Sequence, residues 1–499
     1  MLDGLILGFQ VALSVDNLLY CLLGVTLGTL IGVLPGVGPL VTIALLLPLT
    51  FGLSPEAALI MLAGIYYGAS YGGSTTAILV NLPGESSSVV TCLDGYQMAR
   101  NGRAGPALAI AALGSFVAGC IGTLAIALFA PMLGRAALSF GAAEYTSLII
   151  MALVATAILV HGALVKGLLM ALLGILIGLI GMDLNSGTLR YTFGMTSLMD
   201  GIDFVVVAVG MFAFSEIVTQ LWNARSEIPV ATKVASLMPS RAELKASAMP
   251  IMRGTGVGMF FGILPGIGTT ISSFASYMLE QRVAKDPSRF GKGAIEGVAG
   301  PESANNAAAQ VSFIPTLTLG VPGSATMALM LGALMLQGIT PGPNMITERP
   351  ALFWGLVASM WIGNVLLVVL NLPLIRVWVA LLKVPYAWLY PIILSLACFG
   401  IYSLSNSSFD VLLGALFGLF GYLAIKIDCS PAPFILGLVL GPMLEENVRR
   451  ALLISHGDAS TFVSSPISAT FLGATLLLLV LMILPAIRKR HQKLDLELE

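Results

Sequence analysis

Long apolar runs recur along the chain with few polar interruptions, at residues 18–33, 107–128, 147–160, 164–180, 204–214, 352–372, 392–401, 411–425 and 470–484. They are continuous rather than alternating, which predicts α-helices and not the strands of a transmembrane barrel, where apolar and polar positions alternate. A helix needs about 20 residues to cross the hydrocarbon core. The shorter runs therefore predict partial or interrupted spans beside the full ones. Residues 2–19 differ: Asp3, Gln10, Asp16 and Asn17 stand among apolar residues, and no basic stretch marks a cleaved leader. They read as an interfacial or scaffold helix.

Several apolar segments are broken by Pro-Gly, and the breaks repeat. Gly32-Val33-Leu34-Pro35-Gly36-Val37-Gly38 recurs as Gly262-Ile263-Leu264-Pro265-Gly266-Ile267-Gly268, an offset of 230 that also maps Gly24 to Gly254 and Gly28 to Gly258. Asn81-Leu82-Pro83-Gly84 pairs with Gly320-Val321-Pro322-Gly323 at an offset of 239. Weaker matches continue in the same order, Leu168 with Leu412 and Phe204 with Phe434. The expected organisation is an N-terminal helix (1–19), a first membrane repeat (20–222), a polar linker (223–253), a second repeat (254–452), and a final segment (453–499) with an extra helix and a basic tail. Linker and tail are both rich in Arg and Lys, so both are expected in the cytoplasm. With the extra helix unpaired, the second repeat then crosses an odd number of times, and the halves are inverted. Arg449 and Arg450 would fall outside, which counts against this topology.

Composition narrows the class. Only 10% of the 499 residues are charged and 57% are apolar, against roughly 25% charged in soluble domains, so lipid must solvate much of the surface. A net charge of −1 offers no basic surface for nucleic acid. The five cysteines lack a CxxC pair and read as buried thiols. His161 and His456 lack metal-ligand spacing. The chain reads as an all-α polytopic membrane protein with broken helices or re-entrant hairpins.

The breaks carry the candidate chemistry. Proline removes a backbone donor and clashes with the preceding turn, and freed backbone groups in lipid cost several kcal/mol each unless protein, ion or water satisfies them. A lone proline kink could merely shape packing; four breaks at matched positions favour binding. Hydroxyl and amide residues gather at the second break of each half: Ser74, Thr75, Asn81, Ser86, Ser87 and Ser88, then Asn305, Asn306, Ser324 and Thr326. Neutral donors beside a half-helix N-terminus suit a carboxylate substrate. Backbone at Gly36, Gly38, Gly84, Gly266, Gly268 and Gly323, with the carboxylate of Glu302, suits a coupling cation such as sodium. Small-residue packing would explain Gly72, Gly73, Ser74 and some alanines equally well, but it explains Asn305, Asn306 and Glu302 poorly. Glu85 either caps the following half-helix or functions at the break. Asp16, Glu144, Lys166 and Asp410 read as interfacial, and residues 94–103 and 290–297 as solvated loops.

At these stretches (32–39, 66–88, 262–270, 300–306 and 319–326) the sequence resembles the large membrane subunit of the tripartite tricarboxylate transporters, over roughly residues 20–450. The resemblance implies a bacterial cytoplasmic-membrane protein working with a small four-helix membrane subunit and a periplasmic solute-binding protein. It implies uptake of carboxylates such as citrate, driven by a sodium or proton gradient, with no cofactor beyond a bound coupling ion. A broader likeness to transporters with two inverted hairpins suggests an elevator-like motion, by analogy of fold alone. No Walker A sequence is present, in keeping with secondary transport. The sequence alone leaves two rivals and an open oligomeric state, a homo-oligomer included. A membrane enzyme would need a partnered nucleophile or a metal cluster, which three dispersed histidines do not offer. A passive channel or scaffold subunit would not need duplicated half-sites.

Overall fold

A computed structural model describes residues 1–34, 37–159, 164–183, 185–223, 237–264, 268–381 and 386–497. Helix makes up 80% of the described residues, and the strands among them are one two-residue pair, β1 (Gly181–Met182) with β2 (Leu189–Arg190). The longer helices run in order α1 (Leu2–Ala12), α2 (Val15–Gly32), α3 (Pro39–Leu46), α4 (Pro55–Val80), α5 (Ala104–Ala137), α6 (Ala142–Leu159) and α7 (Leu164–Gly178). After residues 204–223 come α8 (Arg241–Gly262), α9 (Gly268–Val283), α10 (Glu296–Val311), α11 (Phe313–Leu319), α12 (Ala325–Leu336) and α13 (Pro350–Asn371). The chain closes with α14 (Tyr386–Ser405), α15 (Ser408–Lys426), α16 (Pro431–Ile454) and α17 (Pro466–Glu497). Each apolar run falls on a helix, and α2, α5, α13 and α15 are long and apolar enough to cross a membrane. The protein is an all-α membrane protein.

The helices form two compact units, Met1–Arg135 with Asp203–Leu423 and Ala136–Ile202 with Ala424–Glu499. In the larger unit two helix pairs pack backbone to backbone. A Cβ on Gly24, Gly28 or Gly32 of α2 would lie 2.3–2.4 Å from the carbonyl oxygens of Met61, Ile65 and Ala69 of α4. A Cβ on Gly254, Gly258 or Gly262 of α8 would lie 2.2–2.5 Å from backbone atoms of Gly300, Ala304 and Ala308 of α10. Only glycine admits this approach, because lipid gives no hydrophobic drive between helices and close van der Waals packing must hold them. Gly4 and Gly8 let α1 lie against Trp354 of α13 in the same way.

Helix ends follow local chemistry. Ser54 caps α4, with Pro55 in its first position, and α4 stops at Asn81 in the left-handed region (φ 57°). The short helix α11 stops likewise at Gly320 (φ 67°). Residues 224–236 of the expected linker lie outside the described residues. Ser240 and Glu243 form a capping box that starts α8 at Arg241. The polar stretch from 241 to 253 is helical and forms the opening turns of α8. Its Arg253 makes a two-pronged ion pair with buried Glu280 of α9, at 2.8 and 2.5 Å.

In the smaller unit α7 packs on α16 through Gly174 and Gly437, each against the other helix's backbone. Lys166 donates to the Ile427 carbonyl at 2.6 Å. Beside the β-hairpin, Asp183 accepts from the Asn185 amide and the Ser186 hydroxyl and pairs with Arg190 and Arg449. The amide bond above all, then the hydroxyl and the two arginines, hold its carboxyl down at about 2.

Candidate functional site

In each half of the larger unit the two breaks meet. A Cβ on Gly84 would touch Gly73 of α4 and the Gly32 carbonyl, and Gly38 lies against Gly84 and Glu85. In the second half Gly323 faces the Gly262 carbonyl and Ser312, and Gly268 faces Ser324. The contacts correspond under the two sequence offsets: Gly32 with Gly262, Gly73 with Ser312, Gly84 with Gly323 and Glu85 with Ser324. The residue that opens the chain after each second break is extended, Glu85 at φ −143° and Ser324 at φ −157°. Each then caps the next helical turn. Ser324 accepts from the Met327 amide at the start of α12. Glu85 forms a capping box with Ser88 and accepts from the Ser87 hydroxyl at 2.5 Å.

Between the halves lies Glu302, in the interior of α10 one residue after Pro301 and completely buried. Ser74 of α4 donates to one of its oxygens at 2.7 Å. Thr91, from the helical stretch after the first-half break, donates to the other. One turn further along α10, the Asn306 amide nitrogen lies within donating distance of Ser115 of α5 (2.7 Å), Asn305 (2.6 Å) and the Glu302 carbonyl (3.0 Å). Tyr66 and Tyr67, two turns back along α4, pack against Phe313 at ring distances of 6.4 and 6.3 Å. Among the described residues neither Glu302 nor Glu85 has an ion-pair partner. Glu302 is thus a fully buried carboxyl that accepts from the Ser74 and Thr91 hydroxyls, and burying a carboxylate without an opposite charge is costly.

Two wide clefts of about 480 and 490 Å³ lie elsewhere, along the polar end of α8. Their arginines are already matched, in the pairs Arg103–Glu243, Arg253–Glu280 and Arg289–Glu296.

Comparison with known families settles the class. The model of the family described as "Tripartite tricarboxylate transporter TctA family" matches residues 18–436. The chain belongs to the TctA family. It is 54% identical over 497 residues to an "Uncharacterized 52.8 kDa protein in TAR-I ttuC' 3'region" of Agrobacterium vitis, covering 100% of this chain and 99% of that one. It is 56% identical over 240 residues to an "Uncharacterized protein in TAR-II ttuC' 3'region" of the same organism, covering 48% of this chain and 99% of the other. No solved structure matches. As a TctA-family protein the chain is a subunit of a tripartite transporter, whose partner subunits include a binding protein and a small membrane subunit.

Within this TctA-family fold the sequence candidates fall into three groups. Ser74, Glu302, Asn305 and Asn306 are buried and come together, with Thr75 one residue along α4. Ser87, Ser88, Gly84, Gly323, Ser324 and Thr326 sit at the second breaks, where Ser88 and Ser324 serve first as helix caps. Asn81 and Ser86 are exposed there, Asn81 forming the left-handed turn itself. Gly38 and Gly268 line the first breaks, and Gly36 and Gly266 lie outside the described residues.

Sequence reasoning missed Thr91, Ser115 and Asp94. Residues 94–103 read as a solvated loop, yet Asp94 is fully buried in a π-helical turn, Cys92–Tyr96. It accepts from the Gly293 and Ala294 amides, both at 2.8 Å, and from the Tyr277 hydroxyl at 2.9 Å. Its polar neighbours in sequence hide a contact made about 200 residues away. The one signal was its place among apolar Cys92, Leu93 and Tyr96.

Proposed function

We propose that this TctA-family chain is the permease subunit of a binding-protein-dependent secondary transporter, which imports a tricarboxylate or another carboxylate together with a sodium ion or proton. The carrying observation is Glu302, a buried carboxylate at the junction of the halves, surrounded by hydroxyls and amides and without a cationic side chain among the described residues. A cation drawn to Glu302 lowers the penalty of its buried charge. An anionic substrate then enters a site already neutralised, so the two bind favourably together. Substrate contacts fall to the hydroxyls and amides of the second breaks, Asn81, Ser86, Ser87, Ser88, Asn305, Asn306, Ser324 and Thr326, with the N-termini of α3 and α12 nearby. Backbone at Gly38, Gly84, Gly268 and Gly323 is available to a coupling ion, and Gly36 and Gly266, which lie outside the described residues, are proposed with them from the sequence.

In this reading the halves are inverted repeats, and the broken segments with α2, α4, α8 and α10 move as a body in an elevator-like cycle. The recurrence of the glycine contacts at offsets 230 and 239 supports the repeat. The setting is the bacterial cytoplasmic membrane, with a small four-helix subunit and a periplasmic binding protein as partners. The chain carries out no covalent chemistry.

The test is uptake of a labelled carboxylate panel by the complex reconstituted in vesicles, under an imposed sodium gradient or an imposed pH gradient. One gradient should drive accumulation, and Glu302→Gln should abolish that dependence while the complex still assembles. Uptake indifferent to both gradients, or intact coupling in E302Q, would overturn the reading.

A further inference from the structure

We propose that a small cavity between α4, α5 and the C-terminal end of α13 is a binding site for one dehydrated, sodium-sized monovalent cation. This rests on the cation-coupled reading and places the ion away from the glycine breaks. The cavity measures about 20 Å³ and is lined by the polar residues Tyr71, Ser74, Thr75, Ser115 and Asn371. Tyr71, Ser74 and Thr75 share one face of α4 through their i, i+3, i+4 spacing. The rest of the wall is aliphatic, Leu108, Leu372 and Ile375 included.

Two buried atoms on this wall have no hydrogen-bond partner, the Tyr71 hydroxyl and the Asn371 side-chain oxygen. Their residues are only 4% and 5% exposed. Such orphans are rare and call for an occupant. The protons nearby decide which kind. The Asn371 amide donates away to the Leu367 carbonyl. Thr75 donates to the Tyr71 carbonyl at 3.4 Å, and Ser115 accepts from Asn306. The Ser74 hydroxyl points its proton to Glu302 at 2.7 Å or to the Ser70 carbonyl at 3.2 Å. What remains toward the cavity is the orphan Asn371 oxygen with the lone pairs of the four hydroxyls, and the uncommitted hydroxyl protons are those of Tyr71 and Ser115, both free to rotate away from an occupant. That set of oxygens suits a hard cation, which takes oxygen ligands. The volume excludes a carboxylate and a hydrated ion, since a single water already needs about 10–15 Å³. Charge balance comes from Glu302, one hydroxyl away through Ser74. Ser74 and Thr75 are thereby assigned to the ion rather than to the substrate.

The experiment is binding of ²²Na⁺ to the full-length chain in nanodiscs, with melting temperatures measured in sodium and in choline. Tyr71→Phe and Thr75→Val each remove one oxygen at nearly constant volume, and each should weaken sodium binding at least tenfold. Asn371→Asp keeps the oxygen and adds charge, so sodium should raise its melting temperature by more than it raises that of the wild type. Wild-type sodium affinity in both Y71F and T75V would overturn the site while leaving cation coupling intact. Equal destabilisation of N371D in sodium and choline would mean that the cavity holds only water, and would also overturn it. A wild type that binds no sodium but accumulates substrate under a pH gradient would remove the sodium site and leave the proton form of the functional reading. Failure under both gradients would remove the functional reading as well.

Discussion

Glu302 and Asp94 are both fully buried carboxylates, yet their environments assign them different work. Glu302 accepts from the two hydroxyls of Ser74 and Thr91, and in the proposed function its remaining capacity serves the coupling cation. Asp94 is saturated by two backbone amides and a phenol, which marks a structural clamp. The sequence could reveal the first and not the second. An acid after Pro301 in an alanine-rich, apolar segment has no bland explanation in a membrane, whereas an acid followed by Arg100 and Arg103 resembles surface. Partners such as Thr91, 211 residues from Glu302, have no signal until the chain folds. Removing the clamp should be costly. Asp94→Ala strands the Gly293 and Ala294 amides and leaves the Tyr277 hydroxyl without its acceptor. The loss should be about 3 kcal/mol, at roughly 1–3 kcal/mol per unsatisfied buried group. Asp94→Asn keeps an oxygen for the amides and should lose about 1 kcal/mol. Thermal unfolding in detergent checks the order, and a D94A protein as stable as the wild type would refute the clamp.

Among the helices, the glycine spacing of α2 and α8 was readable because each set of three repeats at intervals of four and matches the other at offset 230. Their partners were harder to see. Helix α4 is buried along nearly all of its length, and it carries Gly, Ser, Thr and Tyr where an apolar run would have betrayed a span. A helix surrounded by protein needs small and hydroxyl side chains for close approach, so a hydropathy pattern finds lipid-facing helices better than central ones. The same reasoning explains why no apolar run marks α10, with its Asn305, Asn306 and Gln310. The close approach makes a sharp prediction. A Cβ at Gly28 would stand 2.4 Å from the Ile65 carbonyl oxygen, and one at Gly258 2.2 Å from that of Ala304. Backbone cannot yield as a flexible side chain does, so Gly28→Ala and Gly258→Ala should each destabilise by about 1–3 kcal/mol. Gly256, on the same helix as Gly258, has nothing within 4 Å of a Cβ, and Gly256→Ala should be neutral or stabilising by up to about 1 kcal/mol. Equal melting temperatures for G256A and G258A would show that the close register does not hold the helices together.

For the whole molecule, the proposed inversion turns on which face each half enters from. Helices α2 and α8 end at equivalent residues, Gly32 and Gly262, each running into a Leu-Pro-Gly break. In parallel repeats both would begin on the same side of the membrane. In inverted repeats they begin on opposite sides, and their breaks approach the middle from opposite faces, which is how two half-sites can share one central carboxylate. The positive charges of the linker lead to the expectation that α8 starts in the cytoplasm, and the proposed inversion then puts the start of α2 outside. Ser14 and Ser240 immediately precede these helices and are both exposed. The native cysteines are buried or half-buried, and replacing them by serine or alanine gives a background for single-cysteine labelling. With a membrane-impermeant maleimide added to intact cells, cysteine at Ser14 should react, and cysteine at Ser240 should react only after the membrane is opened. Labelling of both from the same side would make the halves parallel, and a single Glu302 could not then be approached from both faces by related breaks.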